Sequence, residues 1–186
     1  MLHADHLIRA TPRRLSRAEY DRLIALGFFQ RERLELMHGI LVEMSPVGPP
    51  HRTVVDRLNE LLLPRLLGRA KVSIQQPIAA WDDSEPEPDV SVLPIGDYSA
   101  LHPNCALLVI EVADSSLEYD RHTKGPLYAA SSVNEYWIVN LVERIVEVYS
   151  DPAQGRYQTS ARFKPGATIA PRDFPEVTID VSSLLP

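Results

Sequence analysis

One stretch of the chain, residues 106–113, is apolar at every position except Glu111. An apolar run of this length that contains β-branched residues is typical of a central strand covered on both faces. Because an ionised carboxylate is costly to bury without partners, Glu111 needs a cation, a proton or solvent beside it. The run therefore predicts a sheet with helices on its faces. Two explanations of its charge stay open: Glu111 reaches solvent or an arginine at the strand end, or it belongs to a divalent-metal site.

The segments around this run alternate between helix-like and strand-like patterns. Helices are predicted over Ser16–Leu26, which opens with a capping box, over His51–Leu67, which Pro64 kinks or shortens, and from a start between Tyr119 and Pro126. Strands are predicted at the following positions: a hairpin over Arg33–Met44, then Lys71–Ile78, Asp89–Leu93, Ala106–Ala113, Glu135–Asn140, Arg144–Tyr149, Tyr157–Phe163 and Thr168–Ala170. Residues 182–186 are predicted to form a tail. The pattern predicts an α/β (α+β) fold, a central mixed β-sheet flanked by helices, in one domain over residues 15–186 after an N-terminal extension of residues 1–14.

The composition excludes several other classes of protein. A formal net charge of −6 argues against nucleic-acid binding through bulk positive charge, so a role of that kind needs a local site. The single cysteine, Cys105, excludes an intrachain disulfide framework and a CxxC metal or redox motif. No apolar run approaches the roughly 20 residues that span a bilayer, and residues 1–10 lack the apolar core of a signal peptide. We therefore expect a cytoplasmic protein without membrane contact.

Asp89 is the natural partner of Glu111 on a neighbouring strand. If Asp89–Leu93 pairs antiparallel with residues 106–112 around a loop centred near residue 100, Asp89 lies opposite Glu111. Opposed side chains of this kind have Cβ atoms roughly 4.5–5.5 Å apart. Two carboxylates at that separation repel each other unless a cation or a proton lies between them. Carboxylate oxygens together with a backbone carbonyl and water are ligands that suit Mg²⁺.

Lys124 is one of only three lysines in a chain that has sixteen arginines. A lysine is a compact charge whose pKa shifts on burial, whereas an arginine cannot shuttle protons. With Pro126 in a first helical turn, Lys124 is predicted near the start of a helix, close to the end of the strand that carries Glu111. The ordinary alternative is an ion pair between Lys124 and Asp120, four residues earlier on the same helix.

An ordered series of motifs carries a more specific signal. The series comprises Leu34-Glu35-Leu36-Met37-His38-Gly39, Met44-Ser45-Pro46, His51, Pro88-Asp89, Glu111-Val112-Ala113-Asp114-Ser115-Ser116, Asp120-Arg-His-Thr-Lys124 with Tyr128, and Glu135-Tyr-Trp-Ile-Val. From about Leu15 to the C-terminus, the chain resembles the Uma-type family of putative restriction endonucleases, which belongs to the PD-(D/E)XK nuclease superfamily. The resemblance implies a restriction-endonuclease-like fold and a Mg²⁺-dependent endonuclease that hydrolyses the phosphodiester bonds of DNA.

The resemblance also implies roles for individual residues. Asp89 and Glu111 would be metal ligands, with the backbone carbonyl of Val112 as a further oxygen donor and with Mn²⁺ as a substitute for Mg²⁺. Ala113 occupies the position of the superfamily's lysine, and the lysine that this family carries on the following helix corresponds to Lys124. Lys124 would orient the nucleophile or stabilise the pentacoordinate phosphate.

Glu35 and His51 match family positions whose roles are less defined. Glu35 is either a further acidic group near the metal or a solvated strand residue. His51 either belongs to the site or caps and packs the start of its helix. Tyr128 lies at apolar spacing with Tyr136 and Trp137, and all three are predicted to belong to the core.

Two alternatives to a DNA nuclease stay open. The first is a catalytically weak or inactive domain of the same fold that binds or regulates, which the acidic net charge favours. The second is a metal-dependent hydrolase that acts on another phosphate ester or on RNA. Besides DNA, the expected partner is a second copy of the chain, in a homodimer or higher oligomer whose contact is the hairpin over Leu34–Met44.

Overall fold

The computed structural model describes residues 11–186. The helices are α1 Arg17–Ala25, α2 Pro49–Leu66, α3 Leu117–Tyr119, α4 Gly125–Ala130 and α5 Val181–Leu184, and a π-helical turn over Asp120–Lys124 joins α3 to α4. The strands are β1 Leu34–Met37, β2 Ile40–Glu43, β3 Lys71–Ile74, β4 Val90–Leu93, β5 Leu108–Ala113, β6 Glu135–Asn140, β7 Ile145–Ala153, β8 Arg156–Phe163, β9 Thr168–Ile169 and β10 Ile179–Asp180.

A six-stranded sheet in the order β3-β4-β5-β6-β7-β8 forms the centre of the fold. Its neighbouring strands run antiparallel except β5 and β6, which are parallel, so the sheet is mixed. The pairs β1–β2 and β9–β10 form two smaller sheets. The prediction of a mixed α/β fold with a central mixed sheet flanked by helices is confirmed.

Apolar side chains cover both faces of this sheet. On one face the buried stripe of α2, which includes Val54, Leu58 and Leu62, packs with β4, β5 and α5 in one cluster. Tyr128 and Tyr136 belong to a second cluster on the other face, because alternate residues of β5 point to opposite sides of the sheet. Every residue of β5 is buried, so the predicted central strand is confirmed.

The predicted register between β4 and β5 is also confirmed. Val90 lies opposite Ile110, and the antiparallel pairing continues residue by residue along both strands. The same register places Asp89, which immediately precedes β4, opposite Glu111 on β5. The two carboxylates that the sequence pairs are therefore brought together by the most central strands of the fold.

Two local predictions near the N-terminus are confirmed. Ser16 caps α1 in a complete capping box with Glu19. The hairpin turns at His38 and Gly39, whose φ angles are 51° and 75°, as a two-residue turn between twisted strands requires. The Leu15 amide donates to the Gly39 carbonyl at 2.9 Å, so the chain contacts the hairpin just before α1. Residues 1–10 of the predicted extension lie outside the described part of the chain.

The bounds of α2 differ from the prediction. The helix begins at Pro49 rather than His51, because a proline in the first turn loses no helical hydrogen bond. It continues through Pro64 and ends at Leu66, so this proline does not stop it early. Between residues 11 and 186, the structure contains no helix with the length and hydrophobicity needed to cross a bilayer.

Other bounds differ where the sequence pattern is short. Strand β3 ends at Ile74, earlier than predicted, and β7 continues to Ala153, beyond the predicted end. Strand β10 was not predicted. The segment predicted as a tail is the short helix α5, which buries Val181 and Leu184 against α2. A helix of one turn gives too few residues for a periodic pattern, so its apolar positions acquire meaning only through packing.

Candidate active site

A cleft of about 380 Å³ opens between the β1–β2 hairpin, the start of α2 and the end of β5. Among residues 11–186, seven acidic side chains line it, together with two cationic ones, Arg33 and Lys124. The acidic residues are Glu35, Glu43, Glu87, Asp89, Glu111, Asp114 and Asp120. The cleft therefore holds an excess of negative charge, which attracts cations and repels an unaccompanied anion.

Asp89 and Glu111 meet at the floor of this cleft. The backbone N–H of Asp89 points to Glu111 Oε2 at 3.4 Å, and the backbone N–H of Val112 donates to Asp89 Oδ2 at 2.9 Å. The N–H and C=O groups of one residue in an extended strand point to the same side. The Val112 carbonyl therefore faces the edge of β5 on which Asp89 lies. The structure thus brings together all three oxygen donors that the sequence proposes for a metal.

His51 lies beside Asp89 and is not a helix cap. Its Nε2 is 2.9 Å from Asp89 Oδ2, while the Gln75 side chain donates to Asp89 Oδ1 at 3.3 Å. Burial opposes ionisation of Asp89, but the hydrogen bond and charge of His51, the Val112 amide and the charge of Lys124 together hold its pKa below the usual value. Asp89 is therefore ionised, and the alternative that His51 caps the helix is wrong.

Lys124 connects Glu111 to a third carboxylate from the hairpin. Its Nζ donates to Glu111 Oε1 at 3.0 Å and to Glu35 Oε1 at 2.9 Å, and all three residues are buried. Glu35 also accepts the backbone N–H of Glu87 at 2.9 Å. Glu111 therefore pairs with a lysine rather than with solvent or an arginine. Glu35 is a buried member of the cleft rather than a solvated strand residue.

Burial and neighbouring charges shift the pKa values of Glu111 and Lys124. Burial raises the pKa of Glu111 well above its usual value, and the Asp89, Asp120 and Glu35 carboxylates add to the effect while Lys124 opposes it. Burial by itself would lower the pKa of Lys124, but Glu111 and Glu35 outweigh it and hold that pKa well above the usual value. The cleft therefore keeps a charged lysine and a carboxyl group with a high affinity for a proton or a cation.

Lys124 is the last residue of the π-helical turn over Asp120–Lys124. The Gly125 amide closes this turn on the Asp120 carbonyl, which also accepts from the Tyr136 hydroxyl at 3.2 Å. A Cβ atom added at Gly125 would lie 3.3 Å from that carbonyl oxygen, so the glycine permits the close approach. Turns of this kind are frequent at functional sites. Lys124 ends this turn and is the N-cap residue of α4, whose first turn contains Pro126, so its predicted position near a helix start is confirmed.

Asp120 lines the cleft and Tyr128 contacts Glu111, although neither was predicted as a member of the site. Asp120, which the ordinary alternative pairs with Lys124, instead accepts from the Ser116 hydroxyl at 2.7 Å, and burial raises its pKa. Tyr128 is buried in the core as predicted, yet its hydroxyl also donates to Glu111 Oε1 at 2.7 Å. The spacing of four residues from Asp120 to Lys124 and from Lys124 to Tyr128 is the signal that places all three on one helical face.

The donor set of the cleft fits a divalent metal such as Mg²⁺. In residues 11–186 no three His, Cys, Asp or Glu side chains are grouped closely enough to enclose an ion by themselves. Mg²⁺ does not require such a cage, because it keeps several waters and binds through one or two carboxylates together with substrate phosphates. Asp89, Glu111 and the Val112 carbonyl are all oxygen donors at one edge of an acidic cleft. These residues therefore match the preference of this ion.

Comparisons with known proteins identify the family. The model of the Uma2 family, described as "Putative restriction endonuclease", matches residues 17–182, and the chain belongs to this family. The fold is similar to that of the crystal structure of a putative nuclease of the DUF820 group from Anabaena variabilis ATCC 29413. That similarity has a TM-score of 0.71 at 16% identity and covers 91% of this chain and 97% of the other. No curated protein matches the chain.

Proposed function

We propose that residues 15–186 form a Mg²⁺-dependent endonuclease that hydrolyses phosphodiester bonds in DNA. The observation that carries the proposal is the position of Lys124, whose ammonium group lies within 3.0 Å of Glu111 in the same cleft as Asp89. Two carboxylates and a lysine in one cleft can hold a metal ion and stabilise the negative charge that develops on the phosphate during phosphoryl transfer. Membership in a family of putative restriction endonucleases supports the same conclusion.

Asp89, Glu111 and the Val112 carbonyl would hold the metal ion. When bound, the ion lowers the pKa of a water molecule and neutralises charge on the scissile phosphate. His51 holds the Asp89 carboxylate in place through the contact at 2.9 Å. A residue that hydrogen-bonds to a metal ligand without touching the metal orients that ligand, and its loss weakens metal binding. His51 is therefore a positioning residue in this proposal.

Lys124 would serve the phosphate or the attacking nucleophile. Its raised pKa keeps the side chain charged at neutral pH, so it offers a positive charge and up to three donors. Glu35 and Glu111 use two of these donors and fix the ammonium group at the floor of the cleft. Glu35 is in this view the residue that positions Lys124, and it is separate from the metal ligands.

Nicking of supercoiled plasmid tests the proposal directly. We expect nicking with Mg²⁺ or Mn²⁺, none with chelator, and none from Asp89→Asn in either metal. Binding of short duplex DNA across a series of salt concentrations gives an independent measurement, since each phosphate contact adds about −0.9 to the log–log slope. Absence of nicking and of DNA affinity at every salt concentration would contradict the proposal.

One observation favours a second candidate, a domain of the same fold that binds or regulates without cleaving. The cleft carries seven acidic groups against two cations, and the chain as a whole has a net charge of −6. A protein of this kind would bind a divalent metal and show no nicking. A metal-dependent hydrolase of RNA or of another phosphate ester would cleave RNA or a nucleotide substrate and leave the plasmid intact.

The proposal includes a homodimer or higher oligomer in which the hairpin forms the contact. Strand β2 pairs with β1 on one side, and its Ile40 is half exposed. A strand edge with exposed apolar side chains is a surface that a second chain can extend. Light scattering measures the mass in solution, and Ile40→Lys is expected to shift it towards the monomer.

A further inference from the structure

Three buried side-chain atoms in the described part of the chain have no hydrogen-bond partner: His51 Nδ1, Glu85 Oε2 and the hydroxyl oxygen of Tyr119. Most buried polar atoms in folded proteins are paired, so each exception needs an explanation. His51 and Tyr119 both line the cleft, and His51 is already held against Asp89. Tyr119 is therefore an unpaired group of the cleft that the proposed function does not yet use.

Tyr119 packs against apolar side chains, and charged groups of the cleft lie near its hydroxyl. The residue ends α3 directly before the π-helical turn, and its ring packs against a small cluster that includes Met37 and Leu127. Burial raises the pKa of Tyr119 to about 12, with the charge of Glu35 adding to the effect and that of Lys124 opposing it. The hydroxyl therefore lies among the charges of the cleft and remains a neutral donor at physiological pH.

Other donors beside Tyr119 already have acceptors. Lys124 donates to Glu35 and Glu111, and the Tyr128 hydroxyl donates to Glu111. A buried hydroxyl without an acceptor is costly, and that cost is recovered when a ligand supplies one. The chemistry of the missing partner is therefore that of a hydrogen-bond acceptor that enters the cleft close to Lys124.

We propose that Tyr119 binds the substrate by donating its hydroxyl hydrogen to a non-bridging oxygen of the phosphodiester held beside Lys124. The inference rests on the proposed function, because the ligand is the phosphodiester of DNA. A phosphate oxygen is a charged acceptor, and hydrogen bonds to charged acceptors are stronger than those between neutral groups. A neutral phenol also binds such an oxygen without adding to the negative charge of the cleft.

Loss of this hydroxyl has opposite effects on folding and on binding. Tyr119→Phe removes an unpaired buried group, so the variant is expected to be as stable as the wild type or more stable. The same change removes the donor to the phosphate and weakens DNA binding. Tyr157→Phe is the matched control, because the Tyr157 hydroxyl donates to the Val133 carbonyl at 3.1 Å and lies outside the cleft. That variant is expected to lose stability and to keep its DNA affinity.

The experiment measures duplex binding by fluorescence anisotropy with Ca²⁺ in place of Mg²⁺, and a gel confirms that the DNA stays intact. One duplex is unmodified, and a second carries a methylphosphonate linkage, in which a methyl group replaces one non-bridging oxygen, at the position where the wild type cuts. Tyr119→Phe is expected to bind the unmodified duplex about ten-fold more weakly. On the methylphosphonate duplex, the difference between wild type and variant is expected to shrink, because the two changes remove the same hydrogen bond.

The possible outcomes distinguish failure of the inference from failure of the proposed function. Equal binding of the unmodified duplex by Tyr119→Phe and wild type overturns the inference and leaves the nuclease proposal standing. Weaker binding that is undiminished on the methylphosphonate duplex also overturns the inference, as does a loss of stability like that of Tyr157→Phe. A wild-type protein that binds neither duplex overturns the inference together with the proposed function.

Discussion

Two clusters of charged side chains begin at the same π-helical turn and differ in how completely they are paired. The cleft cluster consists of Glu35, Asp89, Glu111 and Lys124, and the outer cluster consists of Arg121, Glu143, Glu147 and Arg162. Lys124 and Arg121 are three residues apart on that turn and point to different partners. The cleft cluster is the proposed site, whereas the outer cluster is a network of ion pairs on the same helical segment.

The outer cluster balances two arginines against two glutamates. Arg121 donates to Glu147 Oε2 at 3.0 Å and to Glu143 at 2.9 Å, and the Tyr149 hydroxyl donates to Glu147 at 2.6 Å. Burial would raise the pKa of Glu147, but hydrogen bonds from Arg121, Tyr149 and Asn140 lower it to about 2. The charged groups of the outer cluster are hydrogen-bonded to other groups of the protein, and these contacts join the π-helical turn to β7.

The cleft cluster has three carboxylates and one lysine. Its Glu111 has a pKa raised well above the usual value by burial, and two unpaired polar atoms, on His51 and Tyr119, line the same cleft. Shifted pKa values also occur in structural networks, so a shift by itself does not mark a site. Unbalanced charge together with unused hydrogen-bonding atoms distinguishes the cleft from the outer cluster.

The largest effect is expected from Lys124→Ala, which we expect to lower plasmid nicking by about two orders of magnitude or more. Lys164→Ala is the matched control, because Lys164 is exposed and does not line the cleft. Lys124→Ala leaves Glu35 and Glu111 without a cation, so circular dichroism must first show that this variant is folded. Lys124→Arg keeps the charge and is expected to fold, yet to nick poorly, because a guanidinium group does not replace the compact ammonium. Nicking at the wild-type rate by folded Lys124→Ala would contradict the assignment.

The next effect concerns Asp89→Asn, for which we expect at least a ten-fold loss of Mg²⁺ affinity in calorimetry. The sequence alone predicts that removal of one of two facing carboxylates relieves their repulsion. The lowered pKa of Asp89 reverses this expectation, because hydrogen bonds stabilise the ionised form in the folded protein. The variant is therefore expected to lose stability above the unfolded pKa of about 3.9, and to match the wild type as pH falls through the folded value.

Unchanged metal affinity in Asp89→Asn would remove Asp89 from the proposed ligands. Gln75→Leu serves as the control, because Gln75 donates to the same carboxylate without being a ligand in the proposal. It is expected to change the metal affinity less than Asp89→Asn does.

In the outer cluster, Glu147→Gln is expected to lower the free energy of unfolding by about 2 kcal/mol at pH 7, since it weakens hydrogen bonds to a charged group. The folded pKa of Glu147 is about 2, below its unfolded value. Its contribution is therefore present above the unfolded pKa and is lost as the pH falls towards 2. Denaturant unfolding at a series of pH values measures the difference. A folded variant with impaired nicking would show that the two clusters are not separate in function.

The smallest effect is expected for Glu85, whose unpaired carboxyl oxygen lies outside the cleft. Burial, with the nearby Asp21 carboxylate, raises the pKa of Glu85 to about 7. The stability that this group contributes is complete below its unfolded pKa and is lost as the pH rises through 7. Glu85→Gln is therefore expected to equal the wild type near pH 4 and to be more stable by about 1 kcal/mol at pH 8. No gain at pH 8 would mean that Glu85 is paired in solution.

The sequence alone was sufficient for contacts between neighbouring segments. The capping box of Ser16 and Glu19, the turn at His38-Gly39 and the register that places Asp89 opposite Glu111 were all predicted and are confirmed. In each case the residues are close in sequence or are linked by a simple strand pairing. Few conformations satisfy such a local pattern, so the residue types themselves are decisive.

Only the tertiary structure decided which side chains meet across the cleft. Glu35 reaches Lys124 from a hairpin 89 residues away in sequence, and His51 reaches Asp89 from the start of α2. The π-helical turn was also not predicted from the sequence, and the Tyr136 hydroxyl that donates to its Asp120 carbonyl comes from a different element, β6. Contacts of this kind depend on how whole elements pack, because no local preference of either residue specifies a partner so distant along the chain.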